Sequence, residues 1–543
     1  MSRVPLHIRI LSLLLTAIAV LQIAWNQPSE PFFNGDETRH VATSIFVHDA
    51  IRDGGYWNPK QYAERYYAQY PSLGLFVWPP GFYVVCGSVM LVCGATFETA
   101  RGVNLAYCLL AVSYAFYLIR RTHGLAAATI ACVLLAVSRD VFAHTRAVML
   151  EVPTLACFMG VAFHLERYLA SRRRVDLIWL GIWTVAMGYH RYDTVMLIPY
   201  FGIRLIFKGE LRSLFRREVL VTGAIAGLAL APYYYLAMMI VGATQAQAAS
   251  TGTNPSTVHG GWGQLVFYLS KVWFQIGTTA FLFGCVGLVA SYKRSSWDAA
   301  KPYWAMLAAV YITFTPMAEQ ETRHAIYWIP AWCVFAAEAS LFPARYGFSR
   351  ALTILSVMIV ILASTCWTLR QPVPWVRGYA NAAQFVLNDS KGTKVCLFDG
   401  LMDGTFVCEI RRADASGRMW VLRGDKLLYA VRSDPNAEYV EWAKDEAGVL
   451  KLLREADPDT IVIEDPPIKY SLPIARLLRE TLAKHTELYE VVATFPIDAN
   501  NLDWLQNKSL IVYRPLKRTP MAERKLIMRM LWQGTTLEAE IPD

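Results

Sequence analysis

Charge is scarce in this chain. Asp, Glu, Lys and Arg make up 17% of its 543 residues, well under the roughly 25% of ordinary soluble domains. Several chemical signatures are missing too. There is no P-loop, no GxGxxG after a strand, no HExxH zinc pair and no GxSxG nucleophile elbow. The ten cysteines show no CxxC or zinc-finger spacing. No internal repeat and no low-complexity tract occurs. These absences remove the signatures of nucleotide-phosphate loops, zinc hydrolysis and serine-hydrolase chemistry.

Apolar residues are what the chain has in abundance, at 55% of the total and a mean hydropathy of +0.29. They come in long uninterrupted blocks. A run of about 18 or more apolar residues can cross a hydrocarbon core and satisfy its own backbone as a helix. A soluble core would need amphipathic stripes instead. The net charge of +9 sits in short clusters between the blocks: Arg120-Arg121, Arg172–Arg174, Lys208 with Arg212, Arg216 and Arg217, and Lys293-Arg294. This is the positive-inside pattern of cytoplasmic loops. No nucleic-acid module accompanies it, so no nucleic-acid partner is expected.

The first apolar stretch, residues 7–25, lacks a small-residue cleavage site and precedes further blocks, so it reads as a retained helix. A polar stretch at 26–72 follows, with short amphipathic helices expected near 38–53 and 60–69. Further blocks occupy 73–95, 102–119, 124–143, 151–169, 177–189, 194–207, 219–241, 273–292, 303–318, 325–342 and 350–367. The basic clusters, with Arg345–Arg350, go inside. The turns at 143–151, 189–193 and 318–325, the loop at 242–262 and everything after about 368 then go outside. With 26–72 outside and Arg120 inside, 73–119 cannot hold two full spans. Trp78-Pro79-Pro80-Gly81 interrupts helical bonding, which points to a broken or re-entrant segment; the alternative is that Arg120-Arg121 breaks the charge rule. From about 385 the composition becomes soluble. Strands are expected at 394–399, 405–410, 418–422, 459–464, 488–495 and 508–513, and helices at 437–455 and 473–485. Eight cysteines lie in apolar blocks, where a free thiol acts as a small hydrophobe. Cys396 and Cys408 lie in the soluble segment and could pair outside the cytoplasm.

Several groups of residues could carry chemistry. Asn34-Gly35-Asp36-Glu37 places two carboxylates just past the first helix. Such a carboxylate can act as a general base on an acceptor hydroxyl or bind a divalent cation. Equally, Asp36 caps the following helix and Glu37 complements its dipole. The turn from His144 to Pro153 brings His144, Arg146 and Glu151 to the mouth of two helices. Arg146 has the planar fork that suits phosphate oxygens, and the competing reading is interfacial snorkelling. Arg323-His324 could hold a lipid-linked phosphate, with Tyr327 close by; an ordinary charged turn in an aromatic belt reads the same way. Tyr189–Asp193 is a similar outside turn. Tyr66, Tyr67 and Tyr70 could line a sugar pocket or serve as interface anchors, and His259–Trp262 reads as a flexible loop.

Taken in order, these pieces resemble the GT-C glycosyltransferase superfamily, and within it the branch of protein O-mannosyltransferases and the lipid A aminoarabinose transferase. That branch has an acidic pair in the first extracytoplasmic loop, here Asp36-Glu37. Its Pro-Pro-containing motif is matched by Tyr70-Pro71-Ser72 and Trp78-Pro79-Pro80. Ala100-Arg101-Gly102 and Arg120–Gly124 correspond to a helix start and a basic turn. Arg146–Pro153 matches an Arg-to-Asp-x-Pro element, with Glu151 where the family has Asp. Arg323–Pro330 resembles a late Arg-Tyr-to-Pro element with altered spacing.

The resemblance implies a polytopic α-helical membrane protein with about 11–13 membrane helices and a C-terminal extracytoplasmic α/β domain. Its parts would be a GT-C-like transmembrane domain at 1–370 with a first extracytoplasmic loop at 26–72, a linker at 371–384, a soluble α/β domain at 385–515, and a basic amphipathic tail at 516–543 able to rest on lipid. It implies a multi-pass plasma (inner) membrane enzyme that moves a hexose or pentose from a polyprenyl- or dolichyl-phosphate donor to a glycolipid, polysaccharide or protein acceptor. Asp36 would be the base, with Glu37 or Glu151 assisting. Arg146, Arg323, His324 and Arg101 would meet the phosphate, and Tyr66, Tyr70, Tyr327 and His144 the sugar or acceptor. Metal use stays open, a divalent cation being one expectation. The alternatives are a lipid-linked-sugar flippase or transporter, which would need charged or broken helices at the midplane, and a polysaccharide ligase using a diphosphate-linked donor.

Overall fold

A computed structural model describes residues 4–24, 35–250, 260–372, 374–388, 394–431, 439–467, 472–500, 502–517, 525–530 and 535–541. Asn34, His259 and tail residues 518–524 and 531–534 lie outside them. In chain order the first helices are α1 (Leu6–Ala24), α2 (Gly35–Arg52), α3 (Pro59–Gln69), α4 (Gly81–Cys93), α5 (Phe97–Val137), α6 (Arg139–Arg146), α7 (Glu151–Ser171) and α8 (Arg174–His190). Then come α9 (Leu197–Lys208), α10 (Arg217–Ser250), α11 (Trp262–Ile276), α12 (Thr278–Ala290), α13 (Arg294–Phe314), α14 (Ile329–Ser340), α15 (Phe342–Arg345) and α16 (Arg350–Arg370).

The chain divides into two compact units. The first holds residues 1–26, 76–82 and 101–371; the second holds 27–75, 83–100 and 372–543. The division differs from the expected one: the polar stretch after α1 folds with the C-terminal residues and not with the helical bundle.

Among the described residues, the regular elements of the first unit are all helices. Helices α7 and α14 are buried on every side, α14 along its whole length, as befits helices that are apolar all round. Among the described residues, four helices are long and apolar enough to cross a membrane: α1, α5, α10 over Arg217–Gly242, and α16. Two bent pairs, α6 with α7 and α11 with α12, each turn by 119° at their break. The first break falls at Ala147–Leu150, between Arg146 and Glu151. The second is Gly277 at φ 87°, a backbone angle favouring glycine. Within α5, Gly124 at φ 87° interrupts the helix after the basic turn Arg120-Arg121, where the sequence divides the apolar blocks 102–119 and 124–143. The block at 73–95 yields only the 13-residue α4, shorter than the roughly 20 residues a straight crossing needs.

The second unit is α/β. Its strands are β1 (Trp375–Arg377), β2 (Lys394–Asp399), β3 (Met419–Arg423), β4 (Tyr429–Val431), β5 (Tyr439–Glu441), β6 (Thr460–Asp465), β7 (Tyr489–Pro496), β8 (Asp498–Asn500), β9 (Ser509–Pro515), β10 (Lys525–Met530) and β11 (Thr535–Glu540). Its later helices are α17 (Tyr379–Asn388), α18 (Asp403–Ala413), α19 (Gly424–Leu427), α20 (Glu446–Ala456) and α21 (Pro473–Lys484). The central sheet runs β3-β2-β6-β9-β7. The β2 strand is parallel to both β3 and β6, while β9 is antiparallel to β6 and β7.

Residues 405–410, expected as a strand, are helical in α18. The reason is topological: neighbouring parallel strands need a crossover, and a helix supplies it. The acidic Asp403 at its start and Arg411-Arg412 at its end also suit the helix dipole. The helix expected at 437–455 begins only at α20, whose N-cap Asp445 accepts from the Gly448 amide at 2.8 Å; β5 precedes it. In the tail, β10 and β11 form an antiparallel hairpin. Cys396 and Cys408 are both free and buried, as the interior of β2 and α18 requires.

The bundle depends on close helix approach. A Cβ at Gly287 of α12 would fall 1.9 Å from the Phe335 carbonyl oxygen of α14. Gly287→Ala should therefore lower the melting temperature of the purified protein, by an overpacking cost of about 1–3 kcal/mol. Gly227→Ala in α10, where a Cβ meets nothing within 4 Å, should leave it equal or higher.

Candidate active site

The first unit gathers charge around the two bent turns. Glu151, the first residue of α7, is fully buried. Its Oε1 accepts from Arg191 Nη1 at 2.5 Å and lies 3.8 Å from Arg323 Nη1. Arg191 Nε also donates to Asp193 Oδ2 at 2.9 Å, and the Tyr327 hydroxyl donates to the same oxygen at 2.9 Å. Arg323 pairs in addition with Glu321. His144 lies within electrostatic reach of Glu151. A single network thus joins the turn after α8, the start of α7 and the turn at Thr322–Trp328.

The backbone that carries these groups is pinned from behind. Asn104 Nδ2 of α5 donates to the carbonyls of His144 and Ala147, at 2.7 and 2.8 Å. Gln275 of α11, itself buried, donates through Nε2 to Asp140 Oδ2 at 2.9 Å and to the Thr322 carbonyl at 2.8 Å. Its Oε1 accepts from Trp328 Nε1 at 2.8 Å. So one amide ties the Arg323 turn to α6 and α11. Beside this network, Arg146 and Arg101 are both largely buried. Their guanidiniums lie close enough to repel, and Arg146 stacks 5.3 Å from the Phe142 ring.

In the second unit, Asp36 and Glu37 form the first turn of α2. Glu37 is fully buried while Asp36 keeps partial exposure. Thr38, the next residue, is held against α18: a Cβ on Gly404 would meet Thr38 Oγ1 at 3.0 Å and Ser72 Oγ at 3.1 Å. Tyr66 and Tyr70, expected to line a sugar pocket, are core residues. Tyr66 donates to Asp49 at 2.7 Å and Tyr70 to Asp414 at 3.0 Å. Burial, reinforced by those carboxylates, pushes both phenols well above their ordinary value, so both remain protonated donors. Arg411 completes the clamp, donating to Asp49 Oδ2 through Nε at 2.9 Å and Nη2 at 2.6 Å.

Two other expectations change. Tyr327 is fully buried, its hydroxyl committed to Asp193; it shapes the network instead of presenting a stacking face. His324 is buried enough for its imidazole to fall to about 4. At neutral pH it is uncharged and can hydrogen-bond a phosphate but adds no positive charge. Among the described residues, no three His, Cys, Asp or Glu side chains gather so as to hold a metal ion.

Residues 78–235 match the family model described as dolichyl-phosphate-mannose-protein mannosyltransferase. The crystal structure of ArnT from Cupriavidus metallidurans bound to undecaprenyl phosphate superposes with a TM-score of 0.65 at 13% identity, over 94% of this chain and 99% of that one. The Archaeoglobus fulgidus oligosaccharyltransferase tethered with an acceptor peptide gives 0.53 at 12% identity, over 94% and 76%. The fold is that of the GT-C glycosyltransferases. No curated protein matches the sequence significantly. The stretch of this chain that matches the family model holds Glu151, Arg191 and Asp193; Asp36-Glu37 and Arg323 fall outside it.

Sequence reasoning assigned no role to Arg191, Asp193 or Gln275. Arg191 and Asp193 stood in a turn already noted, but their partners are distant in sequence and left no local trace. Gln275 left no distinct signal either, since α11 also carries Gln264 and Lys271. Gln275→Leu is expected to lower the melting temperature sharply. It strips partners from Asp140, Trp328 and the Thr322 carbonyl, at about 1–3 kcal/mol for each buried group left unsatisfied. Ser270→Leu, at an exposed position on the same helix, should not.

Proposed function

We propose that this GT-C chain transfers a sugar from a polyprenyl-phosphate donor to an acceptor on the extracytoplasmic face of the membrane. The observation that carries the reading is the buried network in which Glu151 holds Arg191 and Arg323 together. Burying Glu151 and Arg191 is costly, and a site that must grip an anionic leaving group is one that uses such charges. That ArnT binds undecaprenyl phosphate supports a donor of the same kind.

In the proposed reaction a general base, a role we give Asp36 on its motif alone, takes the proton from the acceptor nucleophile as it attacks the anomeric carbon. The bond from that carbon to the phosphate oxygen breaks, and the lipid phosphate leaves with the electron pair. Arg323 and Arg191, with Arg101 and Arg146 as a second cation pair, stabilise the charge that grows on it. Glu151 is committed to the arginines and acts as a positioning residue. Glu37, fully buried, supports the turn that presents Asp36.

Asp36→Asn should cut transfer by about 10²–10⁴-fold with insertion and melting unchanged, in vesicles supplied side by side with monophosphate- and diphosphate-linked donors. Near-normal transfer by this variant would remove the assignment, and preference for the diphosphate donor would move the chain to the ligases. Arg323→Ala should reduce transfer and raise the donor concentration needed, and Arg323→Lys should recover it only partly. The orientation rests on the basic clusters. Alkaline phosphatase fused after the last residue should be active, whereas an inactive fusion would place the C-terminal domain in the cytoplasm.

A further inference from the structure

The last third of α7 lies far from Glu151. The helix has 21 residues, so its two ends are about 30 Å apart, the thickness of a hydrocarbon core. At the far end a cavity of about 240 Å³ opens among α7, α8, α9 and α10. Its walls are almost wholly apolar, with Leu165, Leu180, Phe201 and Ala226 among them. An apolar cavity of this kind does not hold water; one of about 150 Å³ stays dry and accepts a hydrocarbon guest.

The rim is built differently. Arg172 caps α7 in the left-handed conformation, at φ 56°. Its guanidinium lies 5.2 Å from the ring of Tyr168, a cavity residue, and it pairs with Glu210. Ser213, which also lines the cavity, donates to Glu210 Oε2 at 2.9 Å. Ser213 and Leu214 come from a short turn, Leu211–Phe215, whose Leu211 and Phe215 are exposed. Around them stand Arg172–Arg174, Lys208, Arg212, Arg216 and Arg217, against Glu210, Glu218, Asp298 near Lys208, and Asp176, which is buried and paired with Arg167 beyond that cluster. All of the lysine and arginine residues in this group except Arg172 are solvent-exposed.

A hydrocarbon-lined hole beneath a basic, aromatic rim has the chemistry of one ligand class. We infer that this cavity holds an acyl chain of an anionic diacyl phospholipid, whose phosphate rests on the arginines of the 208–217 turn and the α7 C-terminus. The lipid is structural and belongs to the leaflet at the basic end of α7, opposite the proposed donor site. An exposed lysine or arginine near such a surface adds about 1 kcal/mol of attraction to anionic lipid. The acyl chain replaces contacts the cavity walls otherwise lack.

Gly223 of α10 provides the test. It lines the cavity, and a Cβ built on it meets nothing within 4 Å. Gly223→Leu therefore starts from an unobstructed Cβ and adds apolar bulk to the cavity wall, and it improves helix propensity; Ala226→Leu is a second filling variant. The melting temperature is read in nanodiscs of phosphatidylglycerol and of phosphatidylcholine. Wild type should melt higher in phosphatidylglycerol by at least ~3 °C. That difference should vanish in Gly223→Leu or Ala226→Leu, whichever melts normally in phosphatidylcholine, and in the double variant Arg212→Glu, Arg216→Glu. Native mass spectrometry should show the retained phosphatidylglycerol lost in the same variants. If the filling variants keep the wild-type difference and the retained lipid, the acyl chain is not in the cavity and the proposal falls. If the charge reversal alone changes nothing, the headgroup assignment falls.

Discussion

A charge taken out of water inside a helical bundle costs several kcal/mol unless another charge answers it closely. That constraint organises the first unit. Glu151 cannot sit fully buried at the start of α7 without Arg191, and Arg191 cannot sit there without both Glu151 and Asp193. Tyr327 and Arg323 are drawn in by the same two carboxylates. The sharp break between α6 and α7, the turn after α8 and the turn before α14 are therefore parts of one arrangement. Each brings in a charge that the others need. Gln275 then fixes the distance between two of those segments with an uncharged amide, which satisfies three buried groups at once.

The second unit uses the same rule with different partners. Asp49 is buried and takes donors from Tyr66 and Arg411; Asp414 takes Tyr70 and the Met419 amide. These contacts join α2 and α3, early in the chain, to α18 and β3 across separations of 344 to 362 residues. The C-terminal α/β residues thus form the bed on which α2 lies, and α2 opens with Asp36 and Glu37. A change in α18 that displaces Thr38 would move the acidic pair with it, since Gly404 leaves no room for slack at that contact.

What the sequence made legible follows from how local the physics is. The apolar blocks and their basic borders are local, and α1, α7, α10 and α16 fall where those patterns lie. The amphipathic helices after α1 were equally local, and so were five of the six strands expected in the soluble part. The exception, 405–410, has a strand-like run of side chains, Phe406 to Ile410. Only the parallel pairing of β2 with β3 makes it a helix, and pairing is not written in one segment. The site shows the same split. Glu151, Arg323 and Asp36 stood out as charges beside apolar blocks. Their partners did not, because Arg191 meets Glu151 across forty residues and Gln275 meets Asp140 across 135.

The tyrosines show why residue type alone misleads here. A tyrosine after a membrane helix can anchor at the interface, stack on a sugar, or carry a hydroxyl into a core. Tyr66 and Tyr70 take the third course because each finds a buried carboxylate within hydrogen-bonding distance. The carboxylate decides the matter: an unanswered Asp49 or Asp414 would cost more than a lost aromatic contact. The same logic separates Glu151 from Asp36. Glu151 is fully buried, and its Oε1 is committed to Arg191 with Arg323 3.8 Å away. Asp36 opens a helix whose N-terminal dipole favours its anion without burying it. Of the two acids, Asp36 keeps a solvent access that Glu151 lacks, and general-base chemistry requires access to the acceptor.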